Sequence, residues 1–271
     1  MFNRPLRLTK PGLFVTATDT EVGKTVVTCA IASHLRRPDD VQDGSHRGFS
    51  SVRVGVCKPL ATGCRREREG LVSEDAEALA HFADCREPLD VINPVRYRRP
   101  LAPAVAAADC GDPVDLEAIW TALTRLDAVS DVLLIEGIGG ILVPIVDGDP
   151  IITVLDLIKV VGFPVVVVVR AGLGTLNHTA MTVQLLRDAG CPVAGLVVNR
   201  YEADSGGRLD ARQDLAMATN RQWLERITGV RVLATVPQCD PKGVEPHRGC
   251  MAAAILEAIG TCYWSGVIGS A

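Results

Sequence analysis

The run Thr16-Ala17-Thr18-Asp19-Thr20-Glu21-Val22-Gly23-Lys24-Thr25 has the residue types of a phosphate cradle. It follows an apolar stretch and opens a helical pattern, the context in which Gly-Lys-Thr holds a triphosphate. Backbone N–H groups from Thr20, Glu21, Val22 and Gly23 would face the phosphates, the Lys24 ammonium would reach β- and γ-oxygens, and the Thr25 hydroxyl would join a Mg²⁺ ion. Lys58, in Lys58-Pro59-Leu60-Ala61-Thr62-Gly63, ends a second apolar run and supplies another cation to the same crevice. Two carboxylates are candidates to share the metal. Glu136 closes the run Asp131–Ile135 and enters Gly137-Ile138-Gly139-Gly140, where glycine lets backbone approach a ligand. Asp75 reads equally well as a metal ligand or as an acid favoured at a helix N-terminus. Gly172-Leu173-Gly174-Thr175-Leu176-Asn177-His178 opens another helix after a Val-rich run. Its unpaired backbone N–H groups could form a second anion site, for a carboxylate, but taken alone it reads more readily as an ordinary strand-to-helix turn capped by Thr175, with His178 a packed or capping residue rather than a base.

These groups need a scaffold that brings several strand ends together. Apolar, β-branched runs at Leu13–Ala17, Val52–Cys57, Val132–Ile135, Val165–Val169, Val193–Val198 and Val230–Val236 predict strands. Helical spacing covers Lys24–Arg36, Glu74–Phe82, Leu116–Leu126, Thr175–Ala189, Ala211–Ile227 and Met251–Ile259. The alternation predicts an α/β fold: a doubly wound, mainly parallel sheet with helices on both faces, P-loop NTPase-like, with ligands at the strands' carboxyl ends. One domain spanning 1–271 is expected, with residues 37–51 a surface loop and 261–271 a tail that packs or frays.

Composition narrows the class. The chain has 271 residues, a net charge of -4 and 48% hydrophobic residues, the profile of a soluble globular protein. Arg65, Arg66 and Arg68 alternate with Glu67 and Glu69, a solvated loop rather than a nucleic-acid surface. The apolar run Val160–Val169 is too short for a membrane span and suits a buried strand. Nine cysteines with neither Cys-x-x-Cys pairs nor zinc spacing, and no secretory leader, point to a reducing, cytoplasmic compartment.

With these residues assembled, the chain resembles the dethiobiotin synthetases. Thr18 to Thr25, Lys58-Pro59 with Thr62-Gly63, Glu136-Gly137 with Gly139-Gly140, and Leu173-Gly174 with Asn177-His178 follow the family pattern in order. More weakly, Pro100 to Ala107 is similar to its substrate-side loop, and Val198-Asn199 with Pro237 to its nucleotide-base region. The resemblance implies a homodimer that converts 7,8-diaminononanoate, CO₂ or bicarbonate, and ATP into dethiobiotin, ADP and phosphate. It implies that Lys24 and Lys58 stabilise carbamate and phosphate oxygens and that Thr25, Asp75 and Glu136 hold Mg²⁺. It further implies that Asn199 and Pro237 meet the base, and that Thr62, Gly139, Gly172, Leu173, Gly174 and Asn177 bind substrate, the Gly172 turn from the partner subunit. The family has glycine where Ala17 stands, so a loop requiring φ > 0 there would be strained.

Other classes fit less of the sequence. A partitioning or cell-division ATPase would carry an extra lysine early in the loop, where this chain has Ala17, Thr18 and Asp19. A nucleotide-dependent interaction switch leaves Lys58 and the Gly172 turn without a purpose. An amidotransferase-type synthetase would bring a nucleophilic cysteine context, which is not seen.

Overall fold

The valine-rich runs form the centre of the molecule because their side chains are buried in both directions. A computed structural model describes residues 7–36, 52–201 and 211–269. Its main sheet comprises β1 (Gly12–Ala17), β2 (Val54–Cys57), β3 (Val132–Glu136), β4 (Val165–Arg170), β5 (Val193–Tyr201) and β6 (Val232–Pro237). All pairings are parallel, in the order β6-β5-β4-β1-β3-β2. With β1 central, the cradle that follows it sits between the ends of β3 and β4.

The period-2 alternation of the strands sorts the core into two layers. Phe14, Leu133, Ile135, Val165, Val167 and Val169 face one side, where they meet α5 (Leu116–Val129), α6 (Val154–Val161), α7 (Thr175–Asp188) and α8 (Ala211–Thr228). Leu13, Val15, Leu134, Val166 and Val168 face the other. They pack on α1 (Lys24–Leu35), α2 (Glu74–Ala83), α9 (Ala253–Gly260) and α10 (Trp264–Gly269). The doubly wound arrangement expected from the sequence is present. Buried Asp127 on α5 fixes the approach to β1, accepting hydrogen bonds from Thr9 N, Thr9 Oγ1 and Lys10 N.

Three differences from the sequence reading have physical causes. The run Val160–Val169 is not one strand: Val160 and Val161 end α6, Gly162 turns the chain at φ 72, and the strand begins after Pro164. Helix α6 starts at a capping box in which Thr153 and Asp156 satisfy each other's backbone. The arginine-rich stretch forms a hairpin, Arg65–Glu67 against Gly70–Val72, pinned where Arg65 binds Glu67 and Glu77. The supposed loop Pro100–Ala107 becomes helix α4 (Pro103–Cys110), with proline at its first position where no N–H is needed; α3 (Leu89–Ile92) precedes it. The tail is ordered through α10, with Trp264 fully buried and its Nε1 donating to Ile259 O at 2.8 Å. The expected loop 37–51 lies outside the described residues.

Candidate active site

The cradle begins where β1 ends. Thr18 N donates to Val168 O at 3.2 Å, and the chain then turns through two left-handed residues, Glu21 (φ 54) and Gly23 (φ 97), into α1. Glycine at 23 is needed twice over, since a Cβ there would lie 2.0 Å from Asn199 Nδ2. Ala17 is not left-handed. It pairs with Val168 in extended backbone, so the strain expected from its replacing glycine does not arise.

Lys24 is 7% exposed, and its Nζ donates to Asp19 O at 3.0 Å. Burial, then the nearby Lys58, lowers its pKa to about 8, worth roughly 3 kcal/mol against the charged form. Lys58 projects from the end of β2 between two carboxylates, 2.6 Å from Glu136 Oε1 and 2.7 Å from Asp75 Oδ2, and it donates to Gly137 O. Burial works against its ammonium, but the two carboxylates overcome it and hold Lys58 protonated well above its ordinary range. Thr25 Oγ1 lies 2.9 Å from Asp75 Oδ1 and 2.8 Å from Glu136 Oε1, one proton between two acceptors. Burial raises the Glu136 carboxyl. Asp75, at 42% side-chain exposure, opens to the cleft; burial pushes upward there too, but Lys58 and the Thr25 hydrogen bond bring it below its ordinary value.

These groups line a cleft of about 640 Å³ at the carboxyl ends of the strands. Of the residues singled out in the sequence, it gathers Thr20, Glu21, Gly23, Lys24, Thr25, Lys58, Thr62, Asp75, Glu136 and Gly139, with Leu101, Ala102 and Pro103 as a wall. Val22 instead lies fully buried beneath the loop. Asn199 is also buried, its Nδ2 donating 2.7 Å to Val22 O, so it braces the cradle from behind. Pro237 ends β6 outside the cleft. Gly172, Leu173, Gly174 and Asn177 stand apart: Leu173 is 96% exposed, Asn177 and His178 are exposed, and Gly174 rather than Thr175 takes the cap position. His178 is therefore not a packed residue. A second groove, about 650 Å³, lies at the opposite end of the sheet and contains none of these groups.

Sequence reading missed Arg200 and Arg170. Arg200 lines the cleft from a left-handed position (φ 58), and Arg170 Nη2 donates to Thr20 O at 3.2 Å. Each is a charged residue at the carboxyl end of an apolar strand, Arg170 on β4 and Arg200 on β5, the same signal that marked Glu136.

Glu136 Oε2 is buried without a hydrogen-bond partner, an orphaned anionic oxygen that fits a cation. Among the described residues no cluster of three or more His, Cys, Asp or Glu side chains gathers. Two carboxylates and a hydroxyl match Mg²⁺, which takes few protein ligands and keeps phosphate and water oxygens, rather than a metal caged by protein.

The family model described as an AAA domain matches residues 11–243. A protein of Thermodesulfovibrio yellowstonii named ATP-dependent dethiobiotin synthetase BioD is 35% identical over 84% of this chain and 89% of its own. A protein of the same name from Anaeromyxobacter sp. strain K is 43% identical over 83% and 89%. The chain belongs to the dethiobiotin synthetase family. In this chain the cradle, Lys58 and the Glu136 turn occupy one cleft. Among solved structures, a putative plasmid partition protein of Borrelia burgdorferi bound to AMPPNP is similar at TM-score 0.54 and 12% identity, covering 93% of this chain and 96% of its own. The MinC:MinD cell division protein complex of Aquifex aeolicus gives 0.52 at 14% identity, with 93% of each chain covered. At such identities the likeness is one of fold, and a dethiobiotin synthetase shares that fold with partitioning ATPases.

Proposed function

We propose that the protein is an ATP- and Mg²⁺-dependent ring-closing ligase converting 7,8-diaminononanoate and CO₂ into dethiobiotin. The observation that carries this reading is the cluster in which Lys58 joins Glu136 and Asp75 beside the Lys24 cradle. One substrate amine captures CO₂ as a carbamate, a carbamate oxygen attacks the γ-phosphorus and ADP leaves. The second amine then attacks the carbonyl carbon of the mixed anhydride, releasing phosphate and closing the cyclic urea. No side-chain nucleophile is needed, so positioning and charge neutralisation are the protein's share. Lys24 neutralises β- and γ-oxygens, and Lys58, held charged by its two carboxylates, faces the carbamate and the transferring phosphoryl group. Thr25, Asp75 and Glu136 would hold Mg²⁺, which when bound spreads the charge of the phosphate oxygens.

Asn199 and Pro237 are assigned to the base side. Thr62 and Gly139 are assigned to the substrate, with Gly172, Leu173, Gly174 and Asn177 reaching it from a partner subunit in a homodimer. One domain carries the whole activity. The nine free cysteines fit a reducing, cytoplasmic setting, and no described helix is long and apolar enough to cross a membrane.

The test is phosphate release with MgATP and bicarbonate, with and without the diamine, and mass detection of a cyclic urea. Diamine-dependent release with that product, reduced about a thousandfold in Lys24→Ala and Lys58→Ala, is expected. Release indifferent to the diamine, with no urea formed, would leave a nucleotide-dependent switch in its place.

A further inference from the structure

Lys58 must hold its ammonium between two carboxylates although it belongs to no regular element, so its main chain needs an anchor. That anchor is the segment immediately after α3. Lys58 N donates to Ile92 O at 2.7 Å and Val95 N donates to Pro59 O at 3.3 Å. Between these two contacts sits Asn93, fully buried, whose Nδ2 donates to Lys58 O at 2.6 Å and to Val95 O at 3.2 Å. The two N–H bonds of one amide nitrogen thus join the main chain on both sides of the crossing. Asn93 itself is fixed by its own N–H, which donates to Leu89 O at 2.8 Å and closes α3.

The other end of the amide is unpaired, since Asn93 Oδ1 is buried without a hydrogen bond. Leaving a buried acceptor unsatisfied is destabilising, a penalty an apolar residue of similar size would avoid. A side chain kept for packing alone would not carry that cost. What an apolar residue could not provide is a double donor beneath the lysine.

We propose that Asn93 is the positioning residue for Lys58, fixing the carbonyl from which the lysine side chain departs so that Nζ stays between Asp75 and Glu136. Asn93 touches neither nucleotide nor diamine and acts only through Lys58. The inference rests on the role assigned to Lys58 in the proposed function, and the experiment separates the two. The chain has five lysines (Lys10, Lys24, Lys58, Lys159 and Lys242), so ¹⁵N-lysine labelling gives a short set of ammonium resonances. The Lys58 signal of the nucleotide-free protein is assigned by its loss in Lys58→Ala.

In Asn93→Leu, which keeps volume and removes both donors, the Lys58 signal is expected to shift or broaden while the Lys24 signal stays. Diamine-dependent kcat should fall thirtyfold to a hundredfold, the order of loss for a catalytic group displaced by about 1 Å. The equilibrium affinity for a non-hydrolysable ATP analogue should be retained. Asn93→Ser, smaller and with one donor, is read in the same way if the leucine variant does not fold, and is expected to lose less. An unmoved Lys58 signal, or a loss of analogue affinity matching the loss of kcat, overturns the positioning role and leaves Asn93 a structural residue. Full activity of Lys58→Ala would instead overturn the function assigned to Lys58, whatever the resonance does.

Discussion

Helices α1 and α7 both start from a left-handed glycine, Gly23 at φ 97 and Gly174 at φ 88, yet their surroundings are opposite. The start of α1 is enclosed: Asn199 supports it from below, Arg170 holds Thr20, and Lys24 faces Lys58, Asp75 and Glu136 across a cleft. The start of α7 is open. Asn220 fixes its base by donating to Ala171 O, but Leu173 is 96% exposed and Asn177 and His178 are exposed. The same local device therefore opens into a charged cleft in one place and onto exposed surface in the other. What separates them is the long-range charge built around α1, not the sequence of the turn.

The sharpest way to break this contrast is to remove the buried charge. Glu136 is fully buried and forms the 2.6 Å pair with Lys58. In Glu136→Ala the lysine keeps only the half-exposed Asp75, and a broken buried pair costs about 3 kcal/mol. Denaturant unfolding should show that loss together with loss of diamine-dependent phosphate release. Unchanged stability would mean that the cluster is no more strained than the open turn.

The next effect belongs to α7. If its N-terminus is completed by the diamine's carboxylate and a second chain, Asn177→Ala removes a hydrogen bond to a charged group and should raise the diamine KM about tenfold. Nucleotide affinity should not change. A variant with weaker ATP binding and an unaltered diamine KM would place the turn on the nucleotide side.

The contrast also marks how far sequence reading reached. The six strands of the main sheet were legible as apolar runs rich in valine, leucine and isoleucine, most of them buried on both faces, while β6 at the sheet edge alternates between buried and half-buried positions. The cradle was legible because strand, loop and helix follow each other within Leu13–Arg36. Glu136 and Lys58 were found as charged residues at the ends of apolar strands, a local signal with a topological meaning. Helix α6 was lost because Val154–Val161 merges in composition with the valines of β4, and only Gly162 and Pro164 divide them. Asn93 and the bracing role of Asn199 had no local signal. Their contacts, to Lys58 and to Val22, span 35 and 177 residues and exist only once the sheet has formed.

A subtler test uses proton linkage at α1. The pKa of Lys24 falls from 10.5 to about 8 through burial and the neighbouring Lys58. The lowered value means the folded protein carries the penalty in full below pH 8, and stability relative to Lys24→Met should rise between pH 8 and 10.5 as the folded lysine loses its proton first. Nucleotide binding has the opposite sign. Phosphates favour the ammonium, so affinity should fall above pH 8, by up to about tenfold per pH unit. Lys24→Arg, which stays charged, should show no such fall over that range. A wild-type affinity flat from pH 7 to 9.5 would mean that the α1 site is as open to solvent as the turn at α7.

The smallest effect concerns Ala17. If the cradle needed left-handed backbone there, Ala17→Gly would relieve strain and tighten nucleotide binding. Ala17 instead continues β1 in register with Val168, and the left-handed turns of this loop fall later, at Glu21 and Gly23. Glycine in a strand loses more conformational entropy on folding than alanine, so Ala17→Gly should destabilise the protein by about 0.5–1 kcal/mol. Calorimetric nucleotide affinity should stay at the wild-type value. A gain in affinity would show that the nucleotide-bound loop turns at residue 17, and that the enclosure around α1 is completed only when phosphate arrives.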